Sequence, residues 1–335
     1  MCERTSGKIP PKKAAFLCQR DKRFVLFDLA VEQVSWRGVA LLAALFIGSL
    51  GVAAVLMPVV YRAAEWWDPQ TANSLLNKGS NNLFDLVRWL PIVVAFPWLM
   101  RSCKLWSLPA LGLSRDWLVY WSAGFVVGIV LVALLATGQL AASTVVIAPR
   151  ETLSPFVALK WIASALAAAG SVSFIEEVVF RGVILRMFYT ATRLPWLALI
   201  LSAVFFAYVH FKAGGLAKLG TVDWESGWVA AYWTLMGIIP GFELNRFLGL
   251  SLLGMVLGAL TLRTGSLWAA IGVHGGLVFG ILVYHQLAHS VGPGQGFWGG
   301  TSLIDGWAAS AALSLLLLII ARVGASQLKP TPRPV

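Results

Sequence analysis

Long apolar runs constrain the fold of this chain more than any other feature of its sequence. A helix that crosses a bilayer needs roughly 20 mostly apolar residues. Seven runs approach or exceed that length, at 39–60, 83–100, 117–140, 194–210, 247–262, 267–287 and 307–323. Together with one longer run, they predict an all-α, polytopic transmembrane helix bundle of about eight spans.

The longer run, 156–188, exceeds what one span requires. It predicts either one long tilted helix or a helix broken near Gly170. The shorter apolar run 228–240 predicts a partial or re-entrant segment, which is tolerated at membrane depth only where protein surrounds it.

The same pattern divides the chain into four parts. They are a basic N-terminal segment at 1–37, N-terminal transmembrane helices at 38–155, a membrane core at 156–290, and a last helix with its tail at 291–335.

Charge gives the orientation and excludes one class of partner. Only 12% of the residues are charged, about half the usual share in a soluble domain. Eight basic residues against four acidic ones lie in 1–37, whereas the loop 289–305 has no Lys or Arg. By the positive-inside rule, both termini are expected to be cytoplasmic. The net charge of +11 is spread over membrane flanks, so it predicts contact with the lipid bilayer and not with nucleic acid.

Three ionisable residues lie within an apolar stretch of the predicted core: Glu176, Glu177 and Arg181. A charge at the bilayer centre costs about 2.5–3.5 kcal/mol on insertion scales, so such residues indicate a functional site. Glu177 and Arg181 are four residues apart, and on a helix they share a face and can pair. Glu176 is rotated by about 100 degrees and is left to face a cavity. An inert ion network that fixes helix packing is the alternative.

Two histidines extend this candidate site. The chain has four in all, and His210 and His274 lie in two later apolar runs. A carboxylate and an imidazole can share a water molecule and take its proton. A second imidazole can donate to a developing oxyanion. Such a set is sufficient for hydrolysis of a peptide bond, with the site on three helices in the C-terminal half.

The order and spacing of these residues resemble a known family. Glu176-Glu177-x-x-x-Arg181, then Phe206-x-x-x-His210, then His274 are similar to the motifs of the CPBP family. These membrane glutamate-type endopeptidases are related to the CAAX prenyl endopeptidase and to the bacteriocin-immunity (Abi) proteins of bacteria. Phe-Arg-Gly at 180–182 and Thr-Gly-Ser-Leu-Trp at 264–268 agree with the resemblance, which covers about 156–287.

The resemblance implies a role for each residue. Glu176 and His210 would activate the attacking water, and His274 would stabilise the oxyanion. Glu177, Arg181 and Phe206 would support the site, with no metal or other cofactor. The substrate would be a membrane-anchored or hydrophobic peptide, as in CAAX-box protein processing.

One position departs from the family pattern. The family has Asn or Asp four residues after the later histidine, whereas this chain has Val278, which cannot form a side-chain hydrogen bond. Losing one oxyanion donor typically costs about 10²–10³ in turnover. Candidate substitutes are Asn245, Gln286 and the backbone of Gly275-Gly276. The glycine pair has a second interpretation, close packing of helices in the membrane.

Two further alternatives use the same residues. Glu176, His210 and His274 form a two-His, one-carboxylate set of the kind that binds metals, although the zinc protease pattern His-Glu-x-x-His is absent from the sequence. Buried Glu and His residues also serve as proton relays or partner-binding sites in proteins without catalytic activity. The combined motifs favour an intramembrane endopeptidase over both.

Overall fold

A computed structural model describes residues 36–70, 80–102, 105–113, 116–148, 154–211, 222–236, 239, 242–291 and 295–326. The predicted basic segment 1–37 lies outside these ranges except for its last two residues.

Within the described residues the protein is almost entirely helical. The helices are α1 (Trp36–Trp67), α2 (Ser80–Ser102), α3 (Trp117–Ala141), α4 (Pro155–Glu177), α5 (Leu185–Thr192), α6 (Pro195–His210), α7 (Trp224–Met236), α8 (Leu244–Thr264), α9 (Leu267–Leu287), α10 (Gln295–Trp298) and α11 (Trp307–Ser326). The strands are β1 (Val145–Ile147) and β2 (Ala288–Ser290). The predicted all-α polytopic class is confirmed.

Six helical stretches of the described chain are long and apolar enough to cross a membrane. They are Trp36–Trp67, Leu83–Ser102, Trp117–Ala141, Pro155–Thr192, Leu244–Thr264 and Leu267–Leu287. Pro195–His210 and Trp307–Arg322 are apolar but shorter. A total of eight spans therefore stays a prediction.

The long run forms one continuous helical stretch of 38 residues, Pro155–Thr192. The alternative of a break near Gly170 is wrong, because Gly170 lies inside α4 with open space where a side chain would be. The irregularity lies further along, where Val178–Ile184 forms a π-helical segment between α4 and α5. Such widened turns occur frequently at functional sites.

The predicted partial segment forms α7, a helix of 13 residues. At 1.5 Å per residue it spans about 20 Å, less than the roughly 30 Å hydrocarbon core. It packs closely on α1, since a Cβ atom at Gly227 would overlap the backbone of Ala54. Together, α1, α2 and α7 share an apolar cluster of their own.

Close backbone contact joins α3 to α9. A Cβ atom added at Gly124 or Gly128 of α3 would overlap the backbone of α9, and one at Gly272 or Gly276 would overlap that of α3. Small residues allow helices in membranes to approach in this way. The packing interpretation of the Gly275-Gly276 pair therefore holds for Gly276.

A two-stranded antiparallel ladder, which the sequence did not indicate, ties the ends of α3 and α9 together. Val145 pairs with Ser290, Val146 with His289 and Ile147 with Ala288. The contact fixes how far α9 can slide along α3, and α9 carries His274.

Candidate active site

The first part of the site is α4, whose burial repeats every four residues. Ser154 caps the helix by accepting a hydrogen bond from the Val157 N–H at 3.3 Å, and Pro155 follows at the first helical position. One stripe of the helix is buried: Trp161, Ala165, Ala169, Ser173 and Glu177. The stripe places Glu177 against neighbouring helices, and the helical rotation turns Glu176 away from it.

Glu177 and Arg181 form the ion pair that their spacing predicts. Arg181 Nη1 donates to Glu177 Oε1 at 2.7 Å, and the two side chains are 0–1% exposed. Arg181 Nη2 also donates to the Gly254 carbonyl of α8 at 3.3 Å. The guanidinium lies 4.5 Å from the centre of the Phe206 ring, a favourable cation–π distance. The pair thus connects α4, the π segment, α6 and α8.

His274 completes this buried group from α9. Its Nδ1 lies 2.8 Å from Glu177 Oε1, the same oxygen that accepts from Arg181. Glu177 Oε1 also accepts from Arg181, so the donor of this bond is His274 Nδ1. The other ring nitrogen, Nε2, is then 3.9 Å from Glu176 Oε2.

His210 reaches the same carboxylate from α6, of which it is the last residue. Its Nδ1 lies 2.7 Å from the Phe206 carbonyl oxygen, which can only accept, so Nδ1 carries a proton here too. Its Nε2 lies 3.4 Å from Glu176 Oε2. The structure therefore brings all three predicted catalytic residues together, from three different helices.

The three atoms that meet at the site, His210 Nε2, His274 Nε2 and Glu176 Oε2, have no hydrogen-bond donor among them. With neutral imidazoles, both Nε2 atoms and Glu176 Oε2 are acceptors that face one another. Among the described residues, no group donates a hydrogen bond to Glu176 Oε2. Glu176 and His210 are 26% and 30% exposed, against 7% for His274. This arrangement suits a guest that donates protons, and water is the simplest one.

Phe206 lies at the centre of these contacts and is 1% exposed. Its ring centre is 4.3 Å from that of His210 and 6.3 Å from that of His274. Its carbonyl fixes the His210 tautomer, and its ring covers Arg181. The resemblance pointed to Phe206, but residue chemistry alone gives no reason to choose this phenylalanine over the others.

Ser173 and Gly275 add a contact whose role the sequence analysis did not identify. Ser173 is fully buried, and its hydroxyl donates to the Ala169 carbonyl at 2.6 Å. A Cβ atom added at Gly275 would lie 3.2 Å from Ser173 Oγ. Gly275 follows His274 in α9, and Ser173 lies one turn before Glu177 in α4. The contact between Gly275 and Ser173 therefore sets the distance between His274 and Glu177. The sequence signal for this contact is the position of Ser173 four residues before Glu177 and of Gly275 directly after His274.

The structure does not bring the proposed substitutes for the missing donor to the site. Asn245 donates its side-chain amide to the Asp305 carbonyl at 2.5 Å. Gln286 lies 12 residues beyond His274 on the same helix, about 18 Å along its axis. Gly275 and Gly276 lie inside α9, where backbone N–H groups are used by the helix. Of the predicted site residues that the structure describes, His274 is left as a candidate donor, and its Nε2 donates only from a doubly protonated ring.

Among the residues that the structure describes, no group of three or more His, Cys, Asp or Glu side chains is arranged to hold a metal ion.

Comparison with known proteins gives one finding. Residues 158–280 match the family model of the type II CAAX prenyl endopeptidase Rce1-like proteins. The match covers 123 of the 335 residues (280 − 158 + 1) and contains every residue of the candidate site. Neither the curated proteins nor the solved structures gave a match. The resemblance seen in the sequence is confirmed: residues 158–280 are an Rce1-like domain of the CPBP, or CAAX protease, family.

Proposed function

We propose that this protein is an intramembrane endopeptidase of the CAAX protease type, which hydrolyses a peptide bond of a membrane-associated substrate with a Glu/His-activated water and without a metal. The convergence of His210 Nε2 and His274 Nε2 on Glu176 Oε2 carries the proposal. The Rce1-like domain supports the class of reaction.

Water activation is assigned to the exposed side of the site. A water that lies beside Glu176 and His210 and bridges them donates one hydrogen bond to Oε2 and the other to Nε2, two acceptors that are 3.4 Å apart. Its oxygen attacks the scissile carbonyl carbon while Glu176 takes the proton. General-base assistance of this kind contributes about 10²–10⁴-fold.

Stabilisation of the oxyanion is assigned to His274. To donate from Nε2 while Nδ1 donates to Glu177, the ring must carry both protons and a positive charge. Glu177 Oε1 lies 2.8 Å from His274 Nδ1 and also accepts from Arg181 Nη1 at 2.7 Å. Glu176 then passes that proton to the leaving nitrogen as the C–N bond breaks, which yields a carboxylic acid and an amine.

The location in the cell follows as part of the proposal. The apolar helices make the protein an integral membrane protein. Arg101, Arg193 and Arg263 stand at the ends of α2, α5 and α8, and Arg263 donates to the Ala321 carbonyl near the end of α11. By the positive-inside rule this basic end is cytoplasmic, with both termini on that side of a bacterial inner membrane.

A proton relay or a partner-binding protein, such as a bacteriocin-immunity protein, is the second candidate. Val278 favours it, because the side-chain donor of the family is missing at that position. A relay moves protons through the same buried groups without bond cleavage.

Peptide cleavage separates the two candidates. Purified wild type and Glu176→Gln are incubated in detergent with a pooled library of hydrophobic peptides, and new termini are identified by mass spectrometry. The peptidase predicts sequence-specific products with wild type and none with Glu176→Gln. Identical products from both proteins would refute the mechanism. Intact peptides in both samples, with proton flux in vesicles that Glu176→Gln abolishes, would establish the relay.

A further inference from the structure

The site is closed toward the basic end of the bundle, which the arginines at the ends of α2, α5 and α8 mark. On each catalytic helix, the side chain about one turn nearer that end is buried: Phe206 on α6, Ile271 on α9 and Phe180 in the π segment after α4. Water or peptide arriving from the basic end would meet these side chains before it reached Glu176.

An apolar plug fills the space between these side chains and the basic end. It joins the loop 105–113, the π segment, α5 and the start of α9, and its members include Leu111, Leu113, Val183, Met187, Leu267 and Ile271. Gly112 holds the loop in place, because its carbonyl accepts from the Leu267 N–H at 2.8 Å and its φ of +80° suits glycine. A Cβ atom added at Gly182 would lie 3.2 Å from Leu111, so the loop packs directly on the π segment.

The inward face of α9 becomes more exposed in the opposite direction. The face comprises Leu267, Ile271, His274, Val278, Ile281 and His285, each within about 40 degrees of Leu267 around the helix axis. It lies opposite the glycines that pack on α3. The first three residues are buried, Val278 and Ile281 are partly buried, and His285 is exposed. Burial therefore falls along one face, from the plug toward the far end of α9.

Glu176 and His210 lie where this change in burial begins. They are 26% and 30% exposed, and both converge on His274, the last buried residue of the face. His210 is also the last residue of α6, so that helix does not continue alongside α9 toward the far end. Val278, where the sequence departs from the family pattern, lies one turn beyond His274 and gives this stretch an apolar wall.

We infer that the peptide enters the site past Val278, from the end of the bundle opposite the basic end. The inference rests on the proposed function. Because the basic end is assigned to the cytoplasm, the substrate is an apolar peptide segment presented at the non-cytoplasmic surface. The partly buried Val278 and Ile281 suit apolar side chains, and hydrolysis needs the access to water that the plug denies from the other side.

Thiol labelling tests the entrance without requiring cleavage. Val278→Cys and Ile281→Cys, made in a chain whose three native cysteines are replaced by serine, are treated with a membrane-impermeant thiol reagent in right-side-out and in inside-out vesicles. Ser107→Cys, in the loop 105–113, and Ser302→Cys, beyond the far end of α9, replace exposed residues and identify the two sides. We expect both test positions to react only in the vesicles in which Ser302→Cys reacts. Ile271→Cys, inside the plug, should react in neither.

The outcomes separate the two proposals. Labelling of Val278→Cys together with Ser107→Cys, in both kinds of vesicle or in neither would overturn the entrance and leave the endopeptidase intact. If Val278→Cys lowers the folded yield, Ile281→Cys decides by the same criteria. Reaction of Ser107→Cys in right-side-out vesicles would overturn the assignment of the substrate to the non-cytoplasmic side. A wild type that cleaves no peptide in detergent would overturn the proposed function and the peptide as the occupant, whatever the labelling shows.

Discussion

The site has a buried layer and an exposed layer, and two adjacent glutamates belong to different ones. Glu177 is fully buried with Arg181 and His274, whereas Glu176 is 26% exposed beside His210. The difference arises from the rotation of about 100 degrees per residue in a helix. Identical side chains one position apart therefore lie in different environments, and the proposed function gives Glu177 a structural role and Glu176 a chemical one.

The two layers also differ in their hydrogen bonds. Glu177 Oε1 accepts from both Arg181 and His274 at 2.7–2.8 Å, while the ring nitrogens lie 3.4–3.9 Å from Glu176. Removing one partner of a buried pair leaves an uncompensated charge, which is strongly destabilising. Within the described part of the chain, no hydrogen bond to Glu176 Oε2 is lost when Glu176 is replaced. Variants of the buried layer should therefore affect folding, and variants of the exposed layer should affect catalysis alone.

Glu176→Gln is expected to give the largest effect. The amide cannot take the proton of the water, so kcat should fall by up to about 10⁴-fold while the melting temperature stays unchanged. Glu225→Gln, at an exposed glutamate of α7, is the matched control for cleavage and melting in one detergent. A large drop in melting temperature for Glu176→Gln alone would contradict the division into layers.

Arg181→Met should act mainly on stability. It leaves Glu177 buried without its strongest partner, at a cost of about 3–5 kcal/mol. Folded yield and melting temperature should fall together with activity. The double variant Glu177→Gln/Arg181→Met, which removes both charges, should recover part of the melting temperature. Wild-type yield in Arg181→Met would show that the ion pair is not structural.

His210→Ala is expected to lower kcat by about 10²-fold with little change in melting temperature. The residue ends α6 and is partly exposed, and its bonds contribute little to packing. Single-turnover cleavage at saturating peptide measures the chemical step. A melting temperature reduced as much as in Arg181→Met would place His210 in the buried layer instead.

Gly275→Ala should give the smallest effect, and it tests how the layers are held together. The added methyl would lie 3.2 Å from Ser173 Oγ and push α9 from α4 beside His274, at a cost of about 1–3 kcal/mol. We expect a lower kcat, restored in part by Ser173→Ala in the same chain. Gly170→Ala, where open space surrounds the new methyl, is the control and should be neutral. If Gly275→Ala and Gly170→Ala had equal kcat, Gly275 would not set the distance between α9 and α4.

Much of this comparison could be predicted from the sequence. Apolar length predicted the helical bundle, and the i, i+4 spacing predicted the pairing of Glu177 with Arg181. The rotation of Glu176 out of that pair was predicted by the same periodicity.

Contacts between distant segments could not be predicted in the same way. The bond from His274 to Glu177 joins residues 97 positions apart, and no local pattern encodes it. The π segment depends on tertiary packing and not on residue propensity, so Val178–Ile184 looked like any apolar helix. The contacts of Gln139 could not be predicted from the sequence either. Its buried amide donates to the carbonyls of Trp298, Gly299 and Gly300, which are distant in the chain.

The most direct test of water activation by Glu176 without a metal is a cleavage rate measured before and after metal removal. Wild type and Glu176→Gln from one preparation are assayed on one fluorogenic peptide, first untreated, then after a strong chelator, then with zinc added back. The account predicts that the wild-type rate is unchanged at all three stages and that Glu176→Gln is inactive throughout. A wild-type rate that disappears with chelator and returns with zinc would contradict it and would make Glu176, His210 and His274 metal ligands.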